Sequence, residues 1–156
     1  MSQPADEADA EAALDALIDR YSPEVAALGR ALIARMRARV PQANALVFDN
    51  YNALGVGFAA GETAPQVLLS VVLYPRWVSL FFFKGRLLDD PAGLLDGDCK
   101  IIRHIKFRTV EEFERPEIED LIAQQLDLGE PSLDPEARGR LIIKSISGKQ
   151  RPRRPA

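Results

Sequence analysis

The chain has 156 residues, 47% hydrophobic and 28% charged, the balance of one ordinary globular domain. Its one cysteine, Cys99, and one histidine, His104, exclude an internal disulfide framework and a Cys/His zinc cluster within one chain. The formal net charge of −3 conceals an asymmetry: residues 1–19 carry six acids and no base, while residues 141–156 carry five bases and no acid.

In chain order, residues 1–8 show no pattern and are expected to fray. From Asp9 to Arg20, Leu14, Leu17, Ile18 and Tyr21 fall on one helical stripe. Ser22 then suits an N-cap and Pro23 the first position of a second helix. Its stripe is Val25, Leu28, Leu32, Met36 and Val40, stopped by Pro41, with Arg30, Arg35, Arg37 and Arg39 on the opposite face. Four strands are predicted next, over Leu46–Asp49, Leu54–Ala59, Val67–Leu73 and Trp77–Phe83, all rich in β-branched and aromatic residues. The short connections favour antiparallel neighbours. Leu54, Val56 and Phe58 alternate with Gly55, Gly57 and Ala59, giving one large-residue face and one bare face, the latter expected to receive a helix in preference to a ligand.

Residues 84–99 read as a loop, and Lys100–Arg108 as a fifth strand. Thr109 suits a turn cap, and Pro116 opens a helix to about Leu126. Asp134-Pro135-Glu136 resembles a further helix start leading to Leu141, Ile142 and Ile143. The segment 147–156 is expected to bury nothing and to be a disordered basic tail. The expectation is therefore a single α+β domain over residues 9–146: about five antiparallel strands with N-terminal and C-terminal helices packed on one face. No run approaches the roughly 18 apolar residues of a membrane span, and the acidic start lacks a signal peptide's positive region, so the expected location is cytoplasmic.

Four patches are candidates for function. Glu7, Glu11, Asp15 and Asp19 recur every four residues on one helix face, either as a surface for a hard cation such as iron or as a solvated acidic face. On the fifth strand, Arg103 lies among the apolar residues Ile101, Ile105 and Phe107, beside His104. That pair reads as an anion-recognition site, or Arg103 as the partner of an internal acid such as Asp49 or Asp90. The loops Asp49-Asn50-Tyr51-Asn52 and Tyr74-Pro75-Arg76-Trp77 gather polar and aromatic groups at strand ends. There Tyr51, Asn52, Arg76 and Trp77 are either ligand contacts or turn chemistry. The basic tail offers salt-dependent nucleic-acid contacts or mere solubility; without an accompanying recognition motif, nucleic acid is not the expected partner. No second histidine and no G-x-S-x-G, P-loop or G-x-G-x-x-G motif is present, so a binding module is expected rather than an enzyme.

The stretch Trp77–Phe107, WVSLFFFKGRLLDDPAGLLDGDCKIIRHIKF, resembles the YdhG-like family of small bacterial domains. The matching positions are Gly85, Leu88, Asp90, Pro91, Leu94, Leu95, Gly97, Lys100, Arg103, His104 and Ile105. The segment Asp49–Leu54 and the ending IIKSISGKQRPRRP also resemble a longer subgroup of that family, so the resemblance covers roughly residues 20–154. Cys99 departs from it, standing where the pattern has a glycine. The resemblance implies a frataxin-like α+β fold and a chaperone-like binding role. It also implies weak iron binding on the acidic first helix, because frataxin-like proteins hold iron there.

Overall fold

The computed structural model describes residues 4–155, with side chains from Glu7 onward. Of the N-terminal segment expected to fray, residues 1–3 lie outside the described residues, whereas helix α1 already begins within it and spans Pro4–Asp19. Helix α2, Pro23–Arg39, starts as anticipated with Pro23 in its first turn. Ser22 stands at the N-cap position, but its side chain makes no capping hydrogen bond. Strands β1 (Asn44–Asp49), β2 (Leu54–Ala59), β3 (Val67–Leu73), β4 (Val78–Phe82) and β5 (Arg103–Phe107) form a meander in which each pairs antiparallel with the next. Helix α3 spans Pro116–Asp127. Before it, the Glu112 carboxylate accepts from the backbone N–H groups of Arg108 and Thr109, closing the turn that Thr109 begins.

The expected last helix is instead a strand. Leu141–Ile146 forms β6, which lies parallel to β1 at one edge of the sheet, so the sheet has six strands in the order β5-β4-β3-β2-β1-β6 and is mixed. The sequence Leu-Ile-Ile-Lys-Ser-Ile is rich in β-branched residues, and the otherwise open edge of β1 offers it a ladder, with one shift of register between Val47 and Phe48. Its approach depends on Gly139, where a Cβ atom would stand only 1.6 Å from the Ala43 carbonyl oxygen.

Helices α1, α2 and α3 share one core with the large-residue face of the sheet. Leu14, Leu32, Met36 and Ile118 meet Val47, Val56, Phe58, Val71 and Leu80 there, all nearly inaccessible. The bare face of β2 does not receive a helix, contrary to the sequence reading. The helices follow the larger apolar area on Leu54, Val56 and Phe58, where more surface leaves water. The opposite face carries only a small cluster of Leu46, Ala59 and Val67 with Phe48, Phe83 and Ile142. No helix among the described residues is long and apolar enough to cross a membrane.

Candidate functional site

Because β2 and β3 pair with Leu54 opposite Leu73, the two loops at that end of the sheet are brought side by side. One is the turn Asn50–Ala53, closed by the Asn50 N–H donating to the Ala53 carbonyl at 2.9 Å. The other is the hairpin Tyr74–Trp77, closed by the Tyr74 N–H to the Trp77 carbonyl at 2.9 Å. The Tyr74 and Trp77 rings stack with centroids 4.9 Å apart, and Lys106 Nζ sits 4.2 Å from the Trp77 ring centre. Burial pushes the Tyr74 phenol above its ordinary pKa.

The C-terminal segment, expected to bury nothing, folds back over this end. The Ser147 N–H donates to the Asp49 carbonyl at 2.8 Å and the Arg151 N–H to the Tyr51 carbonyl at 2.9 Å. Arg153 is 3% exposed. Its Nη2 donates to Asp49 Oδ1 at 2.8 Å and also to the Asn50 carbonyl, and its Nη1 donates to the Tyr51 carbonyl at 3.3 Å. Its Cζ lies 5.8 Å from the Tyr21 ring centre. Asp49, itself 1% exposed, also accepts from Gln150 Nε2 at 2.6 Å and faces Arg20 at 3.6 Å. The physical reason lies in β1: Asp49 falls on the same face as Ala45 and Val47, toward the core, and a carboxylate there must be paired. The tail supplies the pair. The segment is therefore fastened to the fold through Arg153 and Arg154, which differs from the freely moving basic arm that a nucleic-acid role assumes.

This closure creates a cleft of about 790 Å³ between the hairpin and the C-terminal segment. Asn52, Tyr74, Arg76 and Trp77 form one wall, and Arg151 and Arg154 the other. Among the described residues no carboxylate lines it. Arg154 gives Nε and Nη2 to the Arg20 and Asp19 carbonyls at the end of α1, at 3.1 and 3.3 Å, which leaves other guanidinium donors unused. Arg151 lies 5.5 Å from the Tyr51 ring centre. Of the six ligand residues predicted from sequence, the cleft unites Asn52, Arg76 and Trp77, with Tyr51 beside it. The sequence reading puts Arg151 and Arg154 in a disordered tail; the signal that places them is Asp49, a core-facing acid in need of a base.

No protein-family model, curated protein or solved structure matches this chain.

Arg103 and His104 do not reach the cleft. Arg103 Nη1 donates to the Cys99 and Ile102 carbonyls, so it fastens its own loop and pairs with neither Asp49 nor Asp90. Asp90 instead accepts from the Leu94 and Leu95 N–H groups at 3.0 and 2.9 Å, and Asp49 is taken by Arg153. His104 stacks on Phe81 with centroids 5.1 Å apart and bridges Asp96 through backbone hydrogen bonds. Cys99 is exposed, and its carbonyl is what Arg103 holds.

The acidic face of α1 is largely neutralised by α2. Arg37 grips Glu11 through two hydrogen bonds of 3.0 and 2.8 Å. Arg30 donates to Asp15 at 2.8 Å and Asp19 at 2.6 Å, and the bonds to Asp19 and then Asp15 push its guanidinium pKa up. Glu7 is exposed. Among the described residues no group of three or more His, Cys, Asp or Glu side chains is arranged to hold a metal ion. The spacing of acids every four residues thus serves the α1–α2 contact, because the arginines of α2 recur on a matching face.

A neighbouring hollow of about 710 Å³ has Arg76 and Trp77 at its rim but mixes Lys106, Arg108 and Arg115 with Glu24, Asp96 and Glu112. Its charges nearly balance, which distinguishes it from the cleft.

Proposed function

We propose that this protein is a non-catalytic binding module for a small anionic ligand, seated among Arg76, Arg151 and Arg154. The reading rests on where arginines without an acid partner gather. Arg30, Arg35, Arg37, Arg39, Arg115, Arg140 and Arg153 each contact a carboxylate. Arg86, Arg103, Arg108 and Arg138 show no such contact, but Arg76, Arg151 and Arg154 are the three without one that line a single cleft with no carboxylate in its lining among the described residues. Like charges held together repel unless a counter-charge enters, and guanidinium groups suit phosphate or carboxylate oxygens through paired N–H donors. Asn52 adds amide donors, and Trp77 a flat apolar wall. The YdhG-like resemblance of Trp77–Phe107 belongs to the same proposal, supported by the α+β element order. Iron binding on α1 draws little support, since an ion would have to displace Arg30 and Arg37 from the carboxylates.

The test is a titration with inorganic phosphate and pyrophosphate, read by thermal shift and by NMR. Saturating anion raises Tm and moves the Trp77 indole N–H resonance in the wild-type chain, since a ligand bound only to the folded state stabilises it by mass action. Arg76→Ala and Arg151→Ala each reduce both responses. Equal responses in wild type and variants, or none in either, would sink the proposal.

A further inference from the structure

The cleft does not end at Tyr74. On the helix-free face of the sheet a second hollow, of about 540 Å³, shares Asn52 and Tyr74 with it. Its walls are rings: Phe48, Tyr51, Tyr74, Phe81 and Phe83. Between them the strands contribute Gly55, Ser70, Val67 and Val72.

Gly55 is informative. Glycine inside a strand weakens it and often marks a bulge, a bend or a place where a ligand or another backbone comes close. Here the protein itself does not come close. A Cβ atom on Gly55 would find its nearest neighbour, Ser70 Oγ, at 3.6 Å, an ordinary contact. Packing within the chain therefore does not demand the glycine, and the space above it opens into the hollow. A hollow lined by five aromatic rings, with no side chain on Gly55 between them, suits a planar aromatic group, which offset stacking and edge contacts would hold. The adjoining arginines complement a negative charge on the same molecule. A volume of about 540 Å³ falls within the range of small-molecule pockets, so the hollow is large enough for one or two fused rings.

We infer that the ligand is an anion carried on a flat aromatic body, with the anion among Arg76, Arg151 and Arg154 and the ring over Gly55. This rests on the anion-binding reading above and specifies the class of its ligand. No bond is made or broken; the site holds the molecule across the boundary between the sheet face and the C-terminal segment.

The experiment compares inorganic phosphate, hexyl phosphate and 1-naphthyl phosphate on the full chain by calorimetric titration. The expected order places 1-naphthyl phosphate at least about tenfold tighter than either of the others, the scale of one well-packed ring. Gly55→Val, which fills the slot with a residue that strands favour, brings 1-naphthyl phosphate down to the affinity of inorganic phosphate. Phe81→Ala, which removes a wall and leaves the backbone alone, does the same, so the result does not depend on one variant folding well. Hexyl phosphate binding as tightly as 1-naphthyl phosphate overturns the aromatic assignment. If inorganic phosphate binds through Arg76 but 1-naphthyl phosphate binds no better, the inference fails and the anion site stands. If no phosphate binds, or Arg76→Ala binds 1-naphthyl phosphate at full strength, the anion site fails and the inference fails with it.

Discussion

Replacing Arg153 by methionine tests the docking of the C-terminal segment on which the cleft depends. In the native protein Arg153 and Asp49 are both nearly inaccessible and bonded at 2.8 Å. Arg153 also donates to the Asn50 and Tyr51 carbonyls, while its Nε, buried, finds no partner among the described residues. Methionine preserves much of the stem and removes the charge, leaving the Asp49 carboxylate buried. Losing one partner of a buried ion pair costs about 3–5 kcal/mol. Gln150 and the half-exposed Arg20 still face Asp49, so the lower end applies. The expected loss is about 3 kcal/mol, or roughly 6–12 °C in Tm for a chain of this size. Urea unfolding of Arg153→Met measures it, and Asp49→Asn with Arg153→Met closes a double-mutant cycle. The double variant should recover part of the loss, giving a coupling of at least about 1 kcal/mol. A loss under about 1 kcal/mol, with no coupling, would mean that the segment is not seated on Asp49 and that Arg151 and Arg154 do not form a wall.

Tyr21 gives a pH prediction: burial pushes its phenol up from 10.0 to about 12, and its hydroxyl donates to the Leu73 carbonyl at 3.0 Å. A raised folded-state pKa means stability complete below the unfolded value near 10 and lost as pH rises toward 12. The loss is about 2–3 kcal/mol, seen as a decline in urea midpoint that Tyr21→Phe flattens. Arg103→Ala should leave phosphate affinity unchanged, because Arg103 fastens only the Cys99 and Ile102 carbonyls. It should instead speed hydrogen exchange across residues 97–102 and cost about 1 kcal/mol; a tenfold loss of phosphate affinity would contradict this placement.

The strand meander was legible because its signals are local. Val67–Leu73 and Leu54–Ala59 agree with the sequence reading residue for residue, because β-branched and aromatic residues mark them and turn residues bound them. The fold departed from that reading where the deciding partner is distant in sequence. Leu141–Ile146 carries apolar residues that suit helix or strand, and only the vacant edge of β1, about a hundred residues earlier, selects the strand. The arginines of the tail show the same limit. Charge alone suggested solvation, whereas Asp49, more than a hundred positions away, draws Arg153 into the interior. The site loops were legible as loops. Their convergence into one cleft was not, since it needs both the β2–β3 pairing and the folded-back tail.

The docking of the tail and the gathering of its arginines have one physical root. The segment around Arg151–Arg154 is rich in arginine and proline and has little apolar area, so it cannot offset its own ordering cost of about 1–2 kcal/mol per residue by hydrophobic burial. What fixes it is polar and specific: the buried Asp49 carboxylate, the backbone carbonyls of Asp19, Arg20, Asp49, Asn50 and Tyr51, and the backbone N–H donors of Ser147 and Arg151. Proline at positions 152 and 155 reduces the cost further by narrowing the freedom of the unfolded chain. With Arg153 turned inward, its neighbours Arg151 and Arg154 are carried to the surface on either side, opposite Arg76. The inward ion pair and the outward cation cluster are thus two consequences of one arrangement. An anion bridging Arg76 to Arg151 or Arg154 would relieve their mutual repulsion and hold the segment closed, so ligand binding and the Asp49–Arg153 pair stabilise the same state.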